Sequence, residues 1–145
     1  SEMSSLPYIK AMLRANRILA NRSGMKGMIG GEVIDVEFTG KTVEKKVLKA
    51  IYELKTSALI EASMLIGAVL GMAGNGELAI VEEAAKSVGM AFQIRDDILD
   101  STSSTKVLGK TVGSDEKNNK TNYVSLYGLE RKSVTDCQKK PKICF

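Results

Sequence analysis

There is no histidine and no tryptophan here, only two cysteines and two prolines, and few aromatic side chains. Each scarcity removes a class of function. Without histidine, neither Ser-His-Asp nor Cys-His catalysis can be assembled. Cys137 and Cys144 stand near the C-terminal end with no imidazole to join them, and a structural zinc site wants four ligands. They read first as free thiols in a reducing compartment and second as a disulfide pair. Aromatics make up 5% of the chain and the net charge is +4. No basic run is interleaved with aromatic residues, so no nucleic-acid partner is expected. The longest uncharged run, residues 62–76, is too short and too rich in glycine to span a bilayer. No charged, then apolar, then small-residue signal opens the chain, which makes the cytoplasm the expected location.

What remains is helical. The 145 residues, 43% of them hydrophobic, suffice for one domain with a core. No strand alternation of useful length appears, so the expected class is all-α. Ser5 and Pro7 suit an N-cap and first turn for a helix to about Arg22, whose stripe is Ile9, Met12, Leu13, Asn16, Leu19 and Ala20. Gly24, Gly27, Gly30 and Gly31 then demand turns or close backbone approach. They lead into a helix carrying Glu32 and Asp35. Asp35 is open between an exposed polar position and one facing an acidic site. From Thr42 to about Met72, Val47, Ile51, Leu54, Ala58, Ala62, Leu65 and Val69 recur at helical spacing and form a core stripe. Lys55, beside that stripe, reads as a snorkelling surface lysine. Gly67 and Gly71 suggest tight contact or a break, and Gly74-Asn75-Gly76 a turn. The next helix shows Leu78, Val81, Ala85, Val88, Phe92, Arg95 and Leu99 on one face.

That helix ends in Phe92-Gln93-Ile94-Arg95-Asp96-Asp97-Ile98-Leu99-Asp100. At ~100° per residue, Gln93, Asp96, Asp97 and Asp100 share an arc of roughly 100°. A solvated acidic helix end is the plain reading. Two facts favour a cation: three carboxylates crowd one face, and they sit at the helix end whose dipole disfavours anions. Hard oxygen ligands at that density suit Mg²⁺, which takes one or two carboxylates and completes its shell with water and phosphate. The following polar stretch offers Lys106, Lys110, Lys117 and Lys120, each a solvated side chain or, together, the cationic half of a diphosphate site. Gly109-Lys110-Thr111 is not a P-loop, because position 104 is serine and the segment follows a helix rather than a strand.

The aspartate-rich segment is preceded by Gly31-Glu32-Val33-Ile34-Asp35 and Lys55-Thr56. It is followed by Gly109-Lys110-Thr111-Val112-Gly113-Ser114-Asp115 and Lys120. In this order and spacing the chain resembles the trans-isoprenyl (polyprenyl) diphosphate synthases over roughly residues 6–130. The resemblance implies an all-α bundle of the isoprenoid synthase type, truncated to its C-terminal helices, over residues 1–145 with an atypical tail at 130–145. It implies head-to-tail prenyl transfer between an allylic diphosphate and isopentenyl diphosphate, of the farnesyl, geranylgeranyl or polyprenyl type, with Mg²⁺ as cofactor. By motif, Asp96 and Asp100 act at the metal, with Asp97 and Asp115 in support. Lys55, Lys110 and Lys120 contact the allylic diphosphate, and Gln93 and Thr56 line the allylic pocket. Phe92 lies towards the homoallylic substrate, and Asp35 belongs to the substrate-binding set.

Departures from the pattern carry expectations of their own. A first aspartate-rich motif with its following arginine pair does not occur in these residues, and Glu32 stands where the family usually has glutamine. The expectation is a C-terminal half with half a metal clamp, weakly active or inactive alone. Faces such as Leu54-Ala58-Leu65 or Val81-Val88 are expected to be partly exposed and to drive self-association, giving a homo-oligomer with exchanged helices. The rival readings are a non-catalytic or regulatory subunit that pairs with a complete synthase, and a structural bundle whose acidic cluster is merely solvated.

Overall fold

The computed structural model describes residues 2–102 and 121–127; Lys106, Lys110, Asp115, Lys117, Lys120 and both cysteines lie outside them. The order is α1 (Glu2–Ser23), α2 (Met28–Glu37), α3 (Lys45–Ile51), a π-helical turn (Tyr52–Ser57), α4 (Ala58–Leu70), α5 (Asn75–Thr102) and α6 (Tyr123–Tyr127). Among the described residues there is no strand, and the chain is all-α as expected. No helix among them is long and apolar enough to cross a membrane.

Helix α1 departs from the sequence reading at both its start and its buried face. It is already helical from Glu2, so Ser5 lies inside it rather than at its cap, and Pro7 removes one bond of its ladder. The face turned inward is Ala11 and Ala15, which meet Leu65 and Val69 of α4 and Leu78 of α5. Small side chains let the helix axes approach, and the three larger aliphatics fill the space, roughly 1.5–3 kcal/mol for each fully buried Val or Leu. The wider apolar stripe points away instead: Met12 is 58% and Leu13 64% exposed, with Ile9 and Leu19 exposed beside them.

Of the long core stripe read from the sequence, Val47 and Leu54 are only half-buried. Ile51, Ala58, Ala62, Leu65 and Val69 are all buried, so Ala58 and Leu65 are not the exposed faces expected of them. Unforeseen is the π-helical turn that inserts an extra residue where Lys55 and Thr56 lie. A second cluster, of Val43, Leu48, Ile51 and Tyr52, packs against Met90 of α5 and Tyr123 and Leu126 of α6.

Between α4 and α5 the chain turns at Met72, which adopts the left-handed region at φ 62°. The Gly74 N–H then donates to Glu77 Oε2 at 2.7 Å, and α5 starts at Asn75, so the predicted turn is shorter than Gly74-Asn75-Gly76. Gly67 meets open space and serves no close contact. Glu61, the one charged residue of α4, is 4% exposed. Arg22 Nη2 of α1 lies 2.9 Å from its Oε2, a charge pairing, and hydrogen-bonds instead to Glu82 Oε1 of α5 at 3.0 Å. Burial pushes the Glu61 carboxyl above its ordinary range, and the Arg22 guanidinium opposes that shift.

Candidate diphosphate and metal site

Two glycines bring α2 and α5 onto the π-helical turn. A Cβ on Gly31 of α2 would stand 2.3 Å from the Lys55 backbone nitrogen, and one on Gly89 of α5 would stand 2.5 Å from the Ser57 side chain. Only a residue without a Cβ permits approaches this close. Both helices therefore lie against the turn, and its successive side chains reach either way.

Towards α2 reaches Lys55. Its Nζ is 2.7 Å from Asp35 Oδ2 and 2.6 Å from Glu32 Oε2, so the lysine read as a solvated side chain is half-buried between two carboxylates. Burial disfavours its charge, but the bonds to Asp35 and Glu32 outweigh burial and raise its pKa above the ordinary lysine value. Lys55 is thus a fixed positive charge at any physiological pH. The open question at Asp35 is resolved as well: it sits on the side of α2 that faces the turn.

Towards α5 reach Thr56 and Tyr52. Thr56 Oγ1 donates to Gln93 Oε1 at 2.7 Å, and Gln93 Nε2 donates to Asp97 Oδ1 at 3.1 Å. Tyr52 donates its phenol to Asp97 Oδ2, which also accepts the Tyr123 backbone N–H at 2.7 Å. Asp97 is 3% exposed and so is Asp100. With its donors in place Asp97 is a positioning group that ties the turn, α5 and α6 together. Asp100 differs, for its Oδ1 is buried without a hydrogen-bond partner among the described residues. Asp96 is half-buried and Phe92 is 53% exposed. A small cavity of about 100 Å³ runs between Asp35, Lys55, Gln93 and Asp97 and is closed on another side by Thr121 and Asn122. A cleft of about 760 Å³ between α1, α4 and α5, with Arg14, Arg17 and Lys26 on its walls, contains none of the sequence-predicted site residues.

On α5 Leu78 and Ala85 are buried as read, but beyond them the buried positions are Gly89, Asp97 and Asp100, while Val88, Phe92 and Arg95 of the expected stripe are exposed. Asp97 is inside because Tyr52 of the π-helical turn, with Gln93 and the Tyr123 N–H, satisfies it. Lys55, Thr56, Gln93, Asp97 and Asp35 are brought together; Lys110, Lys120 and Asp115 fall outside the described residues. Sequence reasoning missed Tyr52, Glu32 as a partner of Lys55, and Asn122. For Tyr52 the available signal was a phenol interrupting a stripe of aliphatics, since a buried Tyr O–H needs an acceptor.

The described residues thus form an all-helical bundle in which Asp35 of α2, Lys55 of the π-helical turn, and Gln93 and Asp97 of α5 line one small cavity. A geranyltransferase of Helicobacter pylori, solved with magnesium and isoprenyl diphosphate, superposes with a TM-score of 0.76 at 32% identity, covering 84% of this chain and 40% of that one. The polyprenyl synthetase family model matches residues 3–143, and the chain belongs to that family. Farnesyl diphosphate synthase of Escherichia coli is 42% identical over 121 residues, 81% of this chain and 40% of the relative. The chloroplastic geranylgeranyl pyrophosphate synthase of Capsicum annuum is 42% identical over 114 residues, 78% of this chain and 31% of the relative. The chain thus spans well under half the length of the relatives it matches.

Proposed function

We propose that this chain carries the C-terminal half of a prenyl diphosphate synthase site, and that the complete enzyme joins isopentenyl diphosphate to an allylic diphosphate. The observation that carries the reading is the cavity where Lys55, a fixed cation, stands with Gln93 and Asp97 of α5, while three positions further along that helix Asp100 Oδ1 is buried with no hydrogen-bond partner among the described residues. A bare buried carboxylate oxygen costs several kcal/mol unless a cation or donor reaches it.

The residues fit Mg²⁺. Among the described residues no three carboxylates form a metal-holding group, so the crowding of three expected from the sequence is not found. The unpartnered Asp100 Oδ1 is the group that suits an ion taking one or two carboxylates, with phosphate and water in the rest of its shell. Asp96 and Asp100 would hold it, and the ion supplies positive charge where a departing diphosphate develops negative charge. Asp97 keeps α5 seated on the π-helical turn. Lys55, joined by Lys110 and Lys120, binds the allylic diphosphate, with Asp115 in support. Thr56 and Gln93 line the allylic pocket, Asp35 orients Lys55, and Phe92 faces the homoallylic substrate. In the reaction the allylic C–O bond breaks to release pyrophosphate, and the double bond of isopentenyl diphosphate forms the new C–C bond. The resulting cation gives a proton to the released pyrophosphate, its C–H electron pair becoming the new double bond. No protein nucleophile takes part; the side chains place charge. Enzymatic activity of the whole protein, its cytoplasmic location and a homo-oligomeric state belong to the same proposal.

A second reading, a subunit that completes or regulates a full synthase, draws on the exposed Ile9, Met12, Leu13 and Leu19 of α1, a surface that calls for cover. The test is a Mg²⁺-dependent condensation assay with isopentenyl diphosphate and dimethylallyl, geranyl or farnesyl diphosphate, with Asp96→Ala alongside. The expected result is no product from this chain alone, with a Mg²⁺- and diphosphate-dependent rise in Tm that the variant loses. Product that vanishes in Asp96→Ala would instead show a complete catalytic centre. The absence of both product and a rise in Tm would contradict the proposal.

A further inference from the structure

Lys55 is shared between two acids, and they are not equivalent. Asp35 is the more enclosed, its side chain 16% exposed, and its Oδ2 lies 2.7 Å from Nζ. Glu32 sits one helical turn earlier on α2, is 48% exposed, and approaches Nζ more closely, at 2.6 Å. Asp35 alone would neutralise the ammonium. With Glu32 added, the group of three carries a net charge of −1 beside the cavity that Gln93 and Asp97 line. An anion arriving there meets an excess of negative charge at the residue expected to attract it.

We infer that Glu32 is an intramolecular competitor for the diphosphate at Lys55, a counter-charge that sets how tightly the site takes its anionic substrate. The inference rests on the functional reading above. Its logic is geometric and electrostatic. A diphosphate oxygen needs a coordination position on Nζ, which offers three N–H donors. Two are engaged by carboxylates, and of these the longer, more exposed Glu32 side chain gives way at the smaller desolvation cost. On release Glu32 swings into solvent, while Asp35 stays to aim the ammonium. The site is therefore weaker than its lysine alone would make it, and the weakening is relieved by salt, by Mg²⁺ bound to the diphosphate, or by removing one charge.

The test is isothermal titration of the full chain with inorganic pyrophosphate in the presence of Mg²⁺, comparing wild type, Glu32→Gln, Asp35→Asn and Lys55→Met. Glutamine keeps the shape of glutamate at a half-exposed position, so folding is preserved, and circular dichroism verifies it. Glu32→Gln is expected to bind about five- to tenfold more tightly at low salt, the effect of removing one like charge several ångströms away, and the gain shrinks at high salt. Lys55→Met is expected to lose binding. A second readout uses no ligand: Lys55 becomes more reactive to amine acylation at fixed pH in Glu32→Gln, because an acid that held its proton is gone. Lys55-dependent binding that is no tighter in Glu32→Gln, or unchanged acylation, overturns the competition while leaving the functional reading intact. Pyrophosphate binding that none of the variants alters overturns the functional reading itself, and the competition with it.

Discussion

The Tyr52 phenol and the Asp97 carboxylate, forty-five positions apart, meet in a buried hydrogen bond at the centre of the candidate site. Tyr52 belongs to the π-helical turn and Asp97 to the aspartate-rich end of α5. The Tyr123 N–H reaches both the phenol oxygen, at 2.9 Å, and the carboxylate, at 2.7 Å. One buried anion therefore organises three elements. Tyr52→Phe removes one donor from a carboxylate 3% exposed while leaving the ring in place. The expected cost is about 1–3 kcal/mol in urea denaturation. Loss of α6 protection in hydrogen exchange accompanies it, because the Tyr123 N–H loses one of its two acceptors.

Gly31 and Gly89 are the points at which α2 and α5 touch the π-helical turn. Alanine at either would place a methyl carbon within 2.3 or 2.5 Å of existing atoms, so helices must separate. Each substitution is expected to destabilise by several kcal/mol, in the upper range seen for overpacking. Gly67→Ala is the contrast: that position meets open space within α4. It is expected to stabilise by about 0.5–1 kcal/mol through helix propensity. Thermal melts of the three variants check both directions.

Glu61 makes stability depend on pH. Its carboxyl is raised above the unfolded value of 4.5, chiefly by burial, so the native state binds the proton more tightly than the unfolded chain does. Its contribution is therefore most favourable below the unfolded value and declines as pH rises from there through the raised native value. Glu61→Gln imitates the protonated side chain and leaves Arg22 paired with Glu82. Its stability relative to wild type is expected to be higher at pH 7 than at pH 4, measured by chemical denaturation across that window.

Helix α1 presents Ile9, Met12 and Leu13 on a face that no described residue covers. Association that rises with protein concentration is expected in sedimentation velocity. Met12→Lys with Leu13→Glu is expected to shift the chain towards monomer, without lowering its melting temperature, because neither side chain belongs to the core. A monodisperse monomer in the wild type would contradict this.

Much of this architecture was legible in the residues. The helical class followed from apolar spacing, and the aspartate face of α5 from the 3.6 period through Gln93, Asp97 and Asp100. What periodicity could not show was the direction in which helices lie. In α1 the stripe read from the sequence was Ile9-Met12-Leu13, but close packing on α4 selected the smaller Ala11 and Ala15, with Ile18 packed beside them. In α5 hydrophobicity favoured Phe92, whereas hydrogen bonds from Thr56 and Tyr52 drew Gln93 and Asp97 inward. Lys55 looked solvated because its partners lie twenty or more positions earlier, on α2. Nothing in local propensity marks the π-helical turn that aims it.

The central claim is that Asp96 and Asp100 on α5, together with Lys55, form half of a Mg²⁺-diphosphate site. Isothermal titration of farnesyl diphosphate into the chain, with and without Mg²⁺ and in wild type and Asp100→Asn, tests it most directly. The predicted result is binding that requires Mg²⁺ and weakens at least about tenfold in the variant, corresponding to 1.4 kcal/mol or more. Equal affinity with and without the ion, unchanged in Asp100→Asn, would contradict it.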